Sequence, residues 1–115
     1  MNKFVIIAGL LSMSFLLVYC NPSKKAAKTV VKTGYANDIS ALVVSNCSPC
    51  HIPANGGKKK PYDSYANVKT DIDEIIRRIE LNPGEKGFMP MRKTTKLSDS
   101  VIAVFKKWKE DGLGE

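Results

Sequence analysis

The sequence predicts a small all-α domain. Three separate segments carry apolar residues at helical spacing, and the loops between them are rich in Gly, Pro and Lys, without a βαβ pattern. A further observation says what such helices surround: Cys47-Ser48-Pro49-Cys50-His51 closes the first segment. At 115 residues the chain is bounded to one domain with a small core.

Residues 1–20 read as a signal peptide rather than as part of that domain. Met1-Asn2-Lys3 is a short positive start, and Phe4 to Val18 is an apolar or small-residue run of 15 residues, too short for a comfortable membrane span. The run ends in Leu17-Val18-Tyr19-Cys20, which resembles a bacterial lipobox with Tyr19 where a small residue is usual. Cys20 is therefore the expected lipidation site, with an uncleaved anchor or ordinary cleavage nearby as alternatives. Lipidation also accounts for the odd cysteine among three. Residues 21–34 hold lysines and small residues without apolar periodicity and are expected to form a flexible tether. Its lysines suit either a plain spacer or contact with anionic lipid headgroups.

Residues 35–115 form the expected domain. Asn37 or Asp38 is the expected cap of the first helix, in which Ile39, Leu42 and Val43 make one apolar face. This helix ends at Cys47 and so delivers Cys47-Ser48-Pro49-Cys50-His51, a C-x-x-C-H, the attachment signature of c-type haem. Two thiols separated by two residues reach the two vinyl groups of one macrocycle. The adjoining histidine then supplies an imidazole nitrogen to the iron. Cys47 and Cys50 are the expected thioether anchors, and His51, the only histidine, is the expected axial ligand.

Zinc, a thioredoxin-like thiol pair and a plain disulfide compete with that reading. Structural zinc wants four Cys or His ligands, and beyond residue 20 the chain offers three, two of them adjacent. A thioredoxin-like pair needs a helix starting at its first cysteine to lower the thiol pKa. Here the motif runs into Ile52-Pro53-Ala54-Asn55-Gly56-Gly57, which starts no long helix.

The loop over 52–61 returns past His51, and Pro61 reads either as the source of a carbonyl for the second imidazole nitrogen or as an ordinary turn proline. Tyr62 to Val68 reads as a short helical turn. A clearer helix follows, capped at Thr70 or Asp71, with Ile72, Ile75, Ile76 and Ile79 as its core stripe. Tyr62, Tyr65, Arg77 and Arg78 are candidates for contact with haem propionates, and a solvated helix end explains the arginines equally well. In the next loop, Gly87-Phe88-Met89-Pro90-Met91 holds the only methionines after residue 20. A thioether is the usual sixth ligand when no second histidine exists. The last helix is expected from Ser98 as N-cap, with a Leu97–Ile102 staple, a buried Val101, Val104, Phe105 and Trp108 face, and Gly112 as its stop.

Taken in order, the C-x-x-C-H at the end of an early helix, the late Gly87-Phe88-Met89-Pro90, and Leu97-Ser98-Asp99 opening an aromatic-bearing helix resemble the monohaem class I cytochrome c family. The resemblance runs from about Tyr35 to Gly112. It implies an all-α, cytochrome c-like helical domain wrapped around one covalently attached haem. By the family's pattern Met89, before proline, is the distal ligand; Met91 is the departure and the reserve. The metal ligands implied are thus His51 and Met89. The family's last helix packs across the first, which would bring Phe105 and Trp108 to Ile39, Leu42 or Val43.

Eighteen Lys and Arg against eleven Asp and Glu give a formal net charge of +7. Lys58, Lys59, Lys60, Lys86, Arg92, Lys93 and Lys96 fall in loops expected near the haem edge, and a basic rim suits acidic redox partners. The function expected is that of a monomeric, membrane-anchored one-electron carrier, exported to the periplasm or outer cell face. Nucleic acid is not an expected partner, and no catalytic residue is assigned. The alternatives are a haem enzyme or gas- or peroxide-binding protein with a labile sixth site, a redox subunit of a larger complex, and a C-x-x-C thiol-disulfide protein.

Overall fold

The structure, a computed structural model, describes residues 29–115. The signal-type segment, Cys20 and the tether up to residue 28 lie outside the described residues. Three α-helices carry the fold: α1 over Ser40–Cys47, α2 over Tyr65–Glu80 and α3 over Asp99–Glu110. No strand is present among the described residues; Gly34 and Gly114 form one isolated parallel bridge. Among the same residues no helix is long and apolar enough to cross a membrane.

The chain enters α1 through a π-helical turn, Tyr35–Ile39, with Gly34 at its cap. Neither Asn37 nor Asp38 caps this helix, contrary to the sequence expectation. The Asp38 carboxylate instead accepts the Gly34 N–H at 2.8 Å, which secures the earlier start. Ile39 and Val43 are fully buried, and Leu42 packs on the same core.

The turn expected at Tyr62–Val68 and the helix expected from Thr70 or Asp71 are one element, α2. Ser64 caps it, its Oγ accepting the Asn67 N–H at 3.3 Å. Val68, Ile72, Ile75, Ile76 and Ile79 form its buried stripe, the isoleucines where the sequence placed them. The helix starts early because the stripe extends back to Val68, four residues before Ile72, and Ser64 stands one turn before that.

Ser98 caps α3 as expected, accepting the Val101 N–H at 3.4 Å, and the staple pair Leu97 and Ile102 is buried. At the other end the Gly112 N–H donates to the Lys109 carbonyl at 3.2 Å and the Leu113 N–H to the Trp108 carbonyl at 3.0 Å. This double bond pattern needs a left-handed residue after the helix, supplied by Gly112 at φ +97°. The helix packs on both α2 and the π turn. Trp108 meets Tyr35 at 5.9 Å between ring centroids and Tyr65 at 6.3 Å. The crossing expected between the first and last helices is thus made by the π turn.

Trp108 Nε1 donates to the Gly114 carbonyl at 2.7 Å, and the Tyr65 hydroxyl to that of Leu113 at 2.8 Å. The Tyr35 N–H also donates to Gly114 at 3.0 Å, and Thr33 N–H to the Asp111 carboxylate at 2.7 Å. The two ends of the domain are therefore tied together from Thr33 onward. Burying Trp108 and Phe105 almost completely contributes roughly 1.5–3 kcal/mol per side chain.

Candidate functional site

Cys47 is the last residue of α1, and the chain leaves the helix through a turn in which the His51 N–H donates to the Cys47 carbonyl at 3.0 Å. Both thiols are free and half-buried. Burial pushes the Cys47 thiol up to about 11. The thiol also stands at the negative end of a helix rather than at its positive start, so a thiolate is disfavoured twice. No α-helix begins at the motif; a short 3₁₀ turn, Pro53–Asn55, follows it. This arrangement is the opposite of the one that activates a thioredoxin-like cysteine. Among the described residues no three His, Cys, Asp or Glu side chains group as a metal-ion site.

The loop after the motif folds back onto it. The Lys59 N–H donates to the Cys50 carbonyl at 3.0 Å and the Tyr62 N–H to that of His51 at 2.8 Å. Gly57 makes this return possible. A Cβ there would stand 2.2 Å from the Pro49 carbonyl oxygen and 2.6 Å from that of Cys50. The His51 Nδ1 lies 2.7 Å from the Lys60 carbonyl oxygen. Since a carbonyl only accepts, Nδ1 carries a proton, and in the neutral ring Nε2 is then the nitrogen whose lone pair can make a ligand bond. The sequence expectation of the Pro61 carbonyl is therefore off by one residue. The Tyr62–His51 backbone bond sets the register that brings the preceding carbonyl to the ring.

Cys47, Cys50, His51 and Met89 all line one cavity of about 550 Å³. Its apolar wall includes Ile75 and Ile79 of α2 and Phe105 of α3, so all three helices contribute. The volume is that of a cavity for a sizeable organic ligand, which run from about 300 to 1,000 Å³. Met89 is half-buried against the core, and its N–H donates to the Arg78 carbonyl at 3.2 Å, which moors the methionine loop to α2. Met91 also lines the cavity but is 67% exposed.

The cationic side chains Lys59, Lys60, Arg78, Arg92 and Lys93 line this cavity, against the anionic Asp71 and Glu74. Lys58, Lys86 and Lys96 do not line it. Of the four propionate candidates, Tyr62 and Arg78 face the cavity. The Tyr65 hydroxyl is occupied at the Leu113 carbonyl, and Arg77 lies in a more open groove of about 650 Å³ beside residues 84–88. Both arginines share Glu74, at 2.7 Å for Arg77 and 2.6 Å for Arg78, and together they hold its carboxyl down to about 2.

Sequence reasoning missed Asp71 in this site. Its carboxylate accepts the Tyr62 hydroxyl at 2.9 Å and pairs with Lys60 at 2.5 Å. Those bonds, the Lys60 one foremost, hold the Asp71 carboxyl below its ordinary range, while burial and the Asp71 bond push the Tyr62 phenol up. The only sequence signal was Asp71 facing the same side of α2 as Ile75 and Arg78.

No protein-family model matches the chain, no curated protein matches it, and no solved structure matches it.

Proposed function

We propose that the chain is a monohaem c-type cytochrome, an electron-transfer protein rather than an enzyme, anchored to a membrane through a lipid on Cys20. The observation that carries this reading is the convergence of Cys47, Cys50, His51 and Met89 on one cavity sized for an organic cofactor. The donor set fits the group: two thiols at C-x-x-C spacing for thioether bonds, an imidazole with Nε2 free, and a thioether sulfur. A haem bound there supplies one reversible electron at a time. The chain's own residues do the rest. Cys47 and Cys50 would hold the group covalently, His51 and Met89 would ligate its iron, and Ile75, Ile79 and Phe105 would exclude water from it. Its exposed cationic side chains, Lys59, Lys60, Arg92 and Lys93, present the edge to an acidic redox partner. Export to the periplasm or outer face, and action as a monomer, belong to the same proposal.

The test is ligand uptake by the reduced protein. A carrier with Met89 in place takes up carbon monoxide slowly and incompletely, and Met89→Ala takes it up at once. Prompt, complete uptake by the unaltered protein would move the reading to a haem protein with a labile sixth site.

A further inference from the structure

His51 sits in a turn, outside any helix, so side-chain neighbours rather than a helical backbone must fix its ring. Its Nδ1 donates to the Lys60 carbonyl at 2.7 Å, and its face is stacked on Tyr62 at 4.5 Å with 12° between the planes. Both of those residues are held by one side chain in the second turn of α2. Asp71 Oδ2 accepts the Tyr62 hydroxyl at 2.9 Å, and Oδ1 meets the Lys60 ammonium at 2.5 Å.

We infer that Asp71 is the positioning residue for His51, gripping the stacked Tyr62 and the Lys60 segment so that the imidazole keeps one orientation and one tautomer. The functional value of this grip rests on the proposal that His51 is an iron ligand, where the partners of the second nitrogen fix ring orientation and basicity. The two arms differ in weight. Tyr62 is buried and the Asp71 side chain is 15% exposed, so their bond lies in a poorly solvated place. The Lys60 side chain is 59% exposed and its attraction is screened. Asp71 is not needed to close the loop itself. The backbone bonds from Lys59 to Cys50 and from Tyr62 to His51, at 3.0 and 2.8 Å, do that independently. What the carboxylate adds is control of side-chain placement around the imidazole.

The experiment uses the full chain with Asp71→Ala and, because that change alone opens a polar gap, also with Tyr62→Phe, which keeps the ring and removes only the hydroxyl. Solvent exchange of the His51 Nδ1 proton and the ring-current shifts of its carbon-bound protons are read by NMR. Losing the Tyr62 hydroxyl bond, which both variants share, should speed exchange roughly 2- to 10-fold in each, and the ring-current shifts should shrink. Wild-type exchange and shifts in both variants would overturn the inference and leave Asp71 as a plain tie between loop and helix. Exchange of the Nδ1 proton serves with or without haem, whose presence is established separately by mass. A chain lacking haem would therefore sink the cytochrome proposal while still testing Asp71. In chain that carries haem, the spread of the haem methyl signals, which follows the imidazole plane, should change in Tyr62→Phe although no charge is altered.

Discussion

Met89 and Met91 are two residues apart yet differ in what the fold does with them. Met89 is moored by its backbone to Arg78 and packs on the core, whereas Met91 is 67% exposed. Met89→Leu is expected to abolish the absorption and magnetic signature of low-spin His/Met iron, and Met91→Leu to leave it intact; optical and paramagnetic NMR spectra of the oxidised variants check this. Gly57 carries a second prediction. A methyl group there collides with three backbone carbonyls, those of Pro49 and Cys50 in the motif and of Ile52 just after it, none of which is a yielding side chain. Gly57→Ala should cost on the order of 2 kcal/mol or more in urea unfolding and lower the yield of cofactor-bearing protein. At this scale the sequence was legible in the grouping of Cys47, Cys50 and His51, which the structure brings to one cavity. It was silent on Gly57 and Asp71, whose roles arise only when a loop and a helix distant in sequence close on the motif.

Helices α2 and α3 owe their stability to one apolar face each and to hydroxyl caps at Ser64 and Ser98. Replacing Ser64 with Ala should cost about 1 kcal/mol by loss of the cap. Trp108→Ala should cost about 3–5 kcal/mol, since it empties a fully buried site and also releases the bond to Gly114. Urea titrations of the two variants measure both, and Trp108→Phe, which restores bulk without the N–H, should fall between them. The α3 boundaries could be read in advance because cap, staple, stripe and terminal glycine all agree there. The start of α2 could not, since Asp71 and Thr70 are plausible caps by type and only Val68 extends the stripe backward. The π-helical entry to α1 was equally hidden: apolar spacing marks a face, not whether each backbone bond spans four residues or five.

Across the whole molecule the charges are distributed unevenly. The candidate cavity is lined by more cations than anions, and most of its cations are exposed. On the proposed function, electron exchange with an acidic partner should slow as salt rises, and Lys59→Glu combined with Lys93→Glu should slow it further at low salt while sparing the absorption spectrum; stopped-flow rates at several ionic strengths check this. The carboxylates have their own pH signature. Glu74 is held down to about 2 by Arg77 and Arg78, and Asp71, Glu80 and Asp111 are also held below their ordinary values by bonded partners. A carboxylate whose folded value is depressed stabilises the fold above its unfolded value and loses that contribution as the pH falls through the folded one. Unfolding midpoints in urea should hence drop between about pH 4.5 and pH 2, and Glu74→Gln should flatten the drop only slightly, because the Glu74 side chain is 42% exposed and its ion pairs are screened. The helical class and the position of the motif were legible at this scale. The cavity was not, since it is made by the return of loops whose sequences carry no periodic signal.

Whether Cys47 and Cys50 hold one haem, as proposed, is decided by the intact mass of the protein. The chain is produced in a host that attaches c-type haem and weighed under denaturing conditions. The expected mass is that of the polypeptide plus a single covalent haem, with a further acyl increment if Cys20 is lipidated. A bare polypeptide with Cys47 and Cys50 joined as a disulfide would contradict it.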